Sequence, residues 1–175
     1  MSTPTSTPTD LPKDTVGFAK HDHHGCIASA VETAEGHCAD KGLQLTPVRR
    51  RVLEILLKRH QALGAYEILD VLRNEGMGSQ PPVAYRALDF LVTNGFAHKI
   101  ERLNAFVACA HPCQDHAPIF MICKSCSAVA ETHSDLSLGR LGQAAADVGF
   151  EIERMVVEVE GRCPNCKPSA KGPTT

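Results

Sequence analysis

The sequence contains no tryptophan, and aromatic residues make up only 5% of its 175 positions. A core built from this chain must therefore rest on Leu, Val, Ile and Ala. No apolar run approaches the ~18–20 residues that cross a bilayer, which argues against a membrane-spanning helix and a membrane partner. The opening MSTPTSTPTD lacks both the basic start and the apolar stretch of a secretory signal, so a cytoplasmic, reducing setting is expected. Neither sign of charge dominates, since the formal net charge is −2.

What is present reads as globular, with 43% hydrophobic and 22% charged residues. Eight cysteines and nine histidines stand out. In a reducing compartment cysteine serves more often as a metal ligand than as half of a disulfide. The small net charge hides an uneven distribution. Residues 41–102 carry ten basic against six acidic side chains, or +4, between flanks of −4 (residues 1–40) and −2 (residues 103–175). A basic middle points to a polyanion partner.

Residues 1–20 are rich in Ser, Thr and Pro and read as a disordered arm. The His-rich segment from His21 to Cys26 reads as a solvated helix start or as an accessory metal site. Residues 26–42 then step as a helix, with Ile27, Ala30, Val31, Ala34 and Cys38 on one side. Thr46–Pro47 is an N-cap followed by Pro at the first helical position, and Val48, Val52, Ile55 and Leu56 make a stripe. A third helix carries Ala65, Ile68, Leu69 and Leu72. A fourth opens at Pro81–Pro82 and presents Ala84, Leu88, Leu91 and Val92. Residues 96–101 and 105–109 read as two short strands. Helices followed by a small hairpin make a winged helix-turn-helix pattern.

The second half reads as a small α+β unit. Strands are expected over Ile119 to Cys123 and Val129 to Thr132. Ser134 is expected to cap a helix bearing Leu138, Leu141, Ala145 and Val148. Phe150 and Ile152, then Met155, Val157 and Val159, alternate as a strand with a bulge. A unit of this size needs a staple. Cys123-Lys-Ser-Cys126 and Cys163-Pro-Asn-Cys166 supply one, because four thiolates are the tetrahedral set of structural Zn²⁺. Lys124, Arg162 and Lys167 stand beside them to offset the −2 charge of such a site. Two redox pairs or plain buried cysteines are the competing readings. With no coordination position open to water, no catalysis is assigned to it. A second set of candidate ligands gathers near the junction of the halves: His98, Cys109, His111, Cys113, His116, Glu131 and His133. Spacing alone does not choose among them.

The segments LTPVRRRVLEIL, PPVAYRALDFL and GFAHKIE, with the paired CxxC motifs, resemble the ferric uptake regulator superfamily, and its zinc uptake regulator branch in particular. The resemblance spans residues 26–167. One departure is Val83–Ala84, where the family commonly reads Thr–Val, so a hydroxyl suited to a phosphate is missing. The resemblance implies an α+β chain with a winged-helix DNA-binding domain (26–103) and a small dimerisation and metal-binding domain (104–167); a disordered arm (1–25) and a tail (168–175) are expected outside it. It further implies that His98, Cys109, His116 and Glu131 hold a regulatory zinc, that Tyr85 and Arg86 read DNA, and that the protein is a homodimer on an inverted-repeat operator. Two imidazoles, a thiolate and a carboxylate suit Zn²⁺, and the sulfur disfavours an Fe²⁺ or Mn²⁺ sensor. Lys41, Arg49 and Arg50 are the expected phosphate contacts. The expected function is a zinc-dependent repressor of zinc uptake genes, with two Zn²⁺ per chain, and not an enzyme. An iron or peroxide sensor of the same superfamily is the nearest alternative, and a zinc buffer or a Cys–His or zinc enzyme belongs to other classes.

Overall fold

The computed structural model describes residues 18, 23–59, 61–78, 80–112, 117–133 and 139–167. Four helices come first: α1 (His23–Asp40), α2 (Pro47–Leu57), α3 (Ala65–Asn74) and α4 (Pro81–Thr93). Helix α1 begins three residues before the expected position 26, so 23–25 belong to a helix rather than to the arm; the rest of the arm, apart from residue 18, lies outside the described residues. The Thr46 hydroxyl accepts the Arg49 N–H at 3.4 Å, and Pro47 occupies the first helical position. Helix α3 begins after Gly64, whose N–H donates to Glu67 Oε2 at 2.8 Å. The turn into α4 is tight: Gly78 has φ +146°, and a Cβ there would lie 2.9 Å from Val83 Cγ1.

The apolar stripes meet in one core. Val31, Ala34, Val52, Leu56, Ile68, Leu72, Leu88 and Leu91 are all buried in it. Arg51 fixes the outer side of this bundle, donating at 2.6 Å to each oxygen of Glu75 and at 2.8 Å to Glu54. Helices α3 and α4 form the helix-turn-helix pair.

Strands β1 (Ala97–Ile100) and β2 (Ala105–Ala108) pair antiparallel, and a 3-10 turn (Glu101–Leu103) with Asn104 at φ 46° joins them. The domain division expected after residue 103 cuts this hairpin, because its ladder continues to Ala108. A second sheet has the order β4-β3-β5. Strand β3 (Pro118–Cys123) pairs antiparallel with β4 (Val129–His133) and parallel with β5 (Val157–Gly161). The two sheets share a small core of Ile100, Val107, Phe120, Ile122 and Val129.

Two expectations for the second half fail. Helix α5 (Arg140–Asp147) starts after Gly139, whose backbone is extended, so Ser134 does not cap it; Ser134 itself lies outside the described residues. Residues 150–156 form no strand, and only Val157–Gly161 pairs. The apparent change of phase is therefore not a bulge: the first part has no partner strand, whereas the second lies along β3.

Candidate metal centres and nucleic-acid interface

The hairpin after β3 brings Cys123 and Cys126 to one end of the sheet. Strand β5 runs parallel to β3, so it delivers Cys163 and Cys166 to the same end. The Lys124 N–H donates to Gly161 O at 2.9 Å and ties the two knuckles together. The four sulfurs lie within 4.8 Å of one another, and Cys126 Sγ is 3.8 Å from Cys163 Sγ. Two sulfurs each ~2.3 Å from one tetrahedral centre would lie ~3.8 Å apart. The Cys163 backbone N–H donates to Cys123 Sγ at 3.4 Å, and this bond leads the set that lowers the Cys123 pKa to about 6. Hydrogen bonding to the Cys163 thiol, with that of Cys126 and burial, pushes Cys166 up to about 12. One thiolate supported by an amide, beside a Cys166 thiol that stays protonated, is a pair that a dication would deprotonate in full.

The second cluster sits between the two sheets. His98 comes from β1, Cys109 follows β2, and Glu131 comes from β4. Their ligand atoms lie within 4.8 Å of one another. His98 Nε2 is 3.2 Å from Glu131 Oε1, the Cys109 thiol is 3.9 Å from the same oxygen, and the Ala110 N–H donates to Glu131 Oε2 at 2.8 Å. Among the described residues Glu131 is the one charged side chain that is buried, at 4% exposure. Burying a carboxylate costs several kcal/mol unless a cation or strong donors compensate it. A nitrogen, a sulfur and an oxygen donor suit tetrahedral zinc, so this set fits the ion. Phe120 packs against the His98 ring, with centroids 5.2 Å apart.

Among the described residues no further ligand joins this set. His116 and Cys113 lie outside the described residues. His111 is not among the converging atoms. His133 ends β4, opposite Pro118.

On α4, Ala84, Ala87, Leu88 and Leu91 face the core, which leaves Tyr85 and Arg86 outward. Tyr85 is 42% exposed, and Arg86 Nε donates to Pro82 O at 3.2 Å. Neither is a core residue. Lys41 is exposed just after α1. Arg49 stacks 3.8 Å from the Phe90 ring centroid and donates to Gln44 O at 2.6 Å. Arg50 is engaged by Glu35 and Glu54. Sequence reasoning did not single out Tyr66, which is 65% exposed and lines a recess with Tyr85 and Asn104. Its place off the apolar stripe of α3 was the only available signal.

Among the described residues no helix is long and apolar enough to cross a membrane. The ferric uptake regulator family model matches residues 40–160. The zinc uptake regulation proteins of Escherichia coli (strain K12) and Shigella flexneri are each 38% identical over 134 residues, or 76% of this chain and 78% of theirs. A solved zinc uptake regulator in complex with zinc and DNA is 36% identical, with a TM-score of 0.73 over 84% of this chain and 96% of its own. The crystal structure of holo XcZur is 40% identical, with a TM-score of 0.70 over 79% of this chain and 96% of its own. The match to the family model over most of the chain and to these relatives at this identity has one meaning: the chain belongs to the ferric uptake regulator family, on its zinc uptake regulator branch.

Proposed function

We propose that this protein is a zinc-responsive, sequence-specific DNA-binding repressor that takes Zn²⁺ as corepressor and controls zinc uptake genes. The observation that carries this reading is the meeting of His98, Cys109 and Glu131 at the joint between the reading half and the second sheet. A ligand on β1 and another on β4 belong to the two parts whose relative orientation sets the direction of α4. His116 completes the set by resemblance. Bound zinc would supply a dication at this joint that these side chains share.

The residues themselves do the rest. His98 and Glu131 hold the hairpin against the second sheet. Phe120 keeps the imidazole in place and excludes water from one side. Arg86 presents a guanidinium suited to guanine O6 and N7, and Tyr85 packs on a thymine methyl or a phosphate. Lys41, Arg49 and Arg50 are phosphate contacts that position without choosing sequence; Arg49 and Arg50 would exchange their present partners for phosphate. Cys123, Cys126, Cys163 and Cys166 hold a second, structural zinc, which makes two per chain. The buried thiol of Cys109 favours zinc over an iron or peroxide sensor.

The working unit is a homodimer on an inverted repeat, in the cytoplasm. Leu141, Val148 and Phe150, on and just after α5, are 54%, 79% and 66% exposed, and Val159 on the edge strand β5 is 47% exposed. Exposed apolar side chains, and the open edge that β5 presents among the described residues, suit a second copy of the chain. This arrangement has no role for an enzyme. The test is a DNA-binding titration that compares Zn²⁺, Fe²⁺ and Mn²⁺ with metal counted per chain. Zinc-selective binding to a defined duplex supports the reading, and metal-independent binding contradicts it.

A further inference from the structure

The turn between β1 and β2 is held from outside the hairpin. Its first backbone N–H groups have no partner within the turn, and Ile100, which precedes it, has no side chain able to accept them. Glu158, on β5, fills this role. Its Oε1 accepts the Glu101 N–H at 2.7 Å and its Oε2 accepts the Arg102 N–H at 3.1 Å. Next to it, Arg102 Nε donates to Glu160 Oε1 at 2.7 Å. The sheet register explains the reach. Phe120 is paired with Glu131 on one side and with Glu158 on the other, so the three side chains form one row on one face. That row grips β1 and its turn at two points, Glu131 at His98 and Glu158 at Glu101.

We propose that Glu158 is a positioning residue, a clasp that needs no metal, docks the hairpin on the second sheet and presets the closed arrangement in which zinc and DNA bind. The proposal rests on the function assigned above. A ligand that prefers the closed arrangement binds in proportion to the fraction of molecules already closed. Loss of the clasp therefore weakens both zinc at the His98 cluster and DNA, although Glu158 is a ligand of neither. The geometry is specific to a carboxylate: two oxygens meet two N–H groups in charge-assisted bonds. Glutamine offers one oxygen and sets an NH₂ against the second N–H.

The test uses full-length protein with the four-cysteine site loaded, as wild type, Glu158→Gln and a charge control, Glu151→Gln. Amide hydrogen exchange is read with the His98 cluster stripped of metal. The Glu101 and Arg102 amides are expected to exchange about tenfold faster in Glu158→Gln alone, with the β1–β2 and β3–β5 ladders still protected. At saturating zinc, affinity for a duplex selected with wild-type protein is expected to fall about five- to tenfold. The zinc concentration that half-loads the His98 cluster is expected to rise by a similar factor. Equal exchange at Glu101 and Arg102 in wild type and Glu158→Gln overturns the proposal. So does freed exchange with unchanged zinc and duplex affinity, or loss of protection throughout both ladders, which would make Glu158 a general structural residue. Wild-type protein with no zinc-dependent duplex binding would defeat the assigned function instead, and the exchange comparison would still decide the clasp.

Discussion

His98 Nε2 and Glu131 Oε1 stand 3.2 Å apart, one on the reading half's hairpin and the other on the second sheet. In the proposed dimer, the pair spans the joint that must be fixed for two reading helices to keep one spacing on DNA. In His98→Ala the bridge loses its β1 end, while the four-cysteine site is untouched. Metal analysis is expected to give one zinc per chain instead of two. Duplex affinity at saturating zinc should fall by about 5–150-fold, toward the stripped wild-type value.

Two basic residues should behave differently on DNA. Arg86, on the outward face of α4, is suited to a base edge. Arg86→Ala should cost about 1–3 kcal/mol at one operator position and relax specificity there. Lys41 should contact phosphate only. Lys41→Ala should weaken all duplexes alike and reduce the slope of log affinity against log salt by about one. Binding measured over a panel of single-base variants at several salt concentrations separates the two behaviours.

Phe150 and Val148 test the dimer. A glutamate at either exposed position replaces an apolar side chain by a charge, which the proposed interface with a second copy cannot accommodate. Phe150→Glu should raise the dimer dissociation constant about tenfold or more by analytical ultracentrifugation, with helix content unchanged. Dimers of unaltered stability would place the interface elsewhere.

The metal-stripped, reduced protein should titrate unevenly. Cys123 is held at about 6, below the ordinary 9.0 of a thiol, chiefly by the Cys163 N–H. Its ionised form therefore stabilises the folded, metal-free knuckles fully above about pH 9, and that contribution is lost as pH falls through 6. Thiolate absorbance should show one step near pH 6 that is missing in Cys123→Ser, while Cys166 remains protonated until about 12.

Local chemistry made the first half readable. Thr46–Pro47 announces α2, the apolar steps of α3 are all buried, and the outward setting of Tyr85 and Arg86 follows from the stripe on α4. The four cysteines could be grouped because their chemistry is shared and their spacing tight. The His98 cluster could not be chosen from spacing, since its members come from three elements that meet only when the sheets pack. The start of α5 was misplaced because Ser134 satisfies a local rule, whereas Gly139 sets the actual boundary. The row Glu131–Phe120–Glu158 depends on a parallel register between β3 and β5, which no local pattern encodes. For the same reason nothing in the sequence singles out Glu158.

The central claim is that zinc at the His98 cluster, and not zinc in general, governs DNA binding. The most direct test compares wild-type dimers with both sites loaded against dimers stripped only at the His98 cluster by a competing chelator, on one selected duplex at fixed salt. The account predicts tight binding by the first and a loss of about 5–150-fold in the second, restored by zinc alone. Equal affinity in the two preparations, with the four-cysteine zinc retained in both, would contradict it.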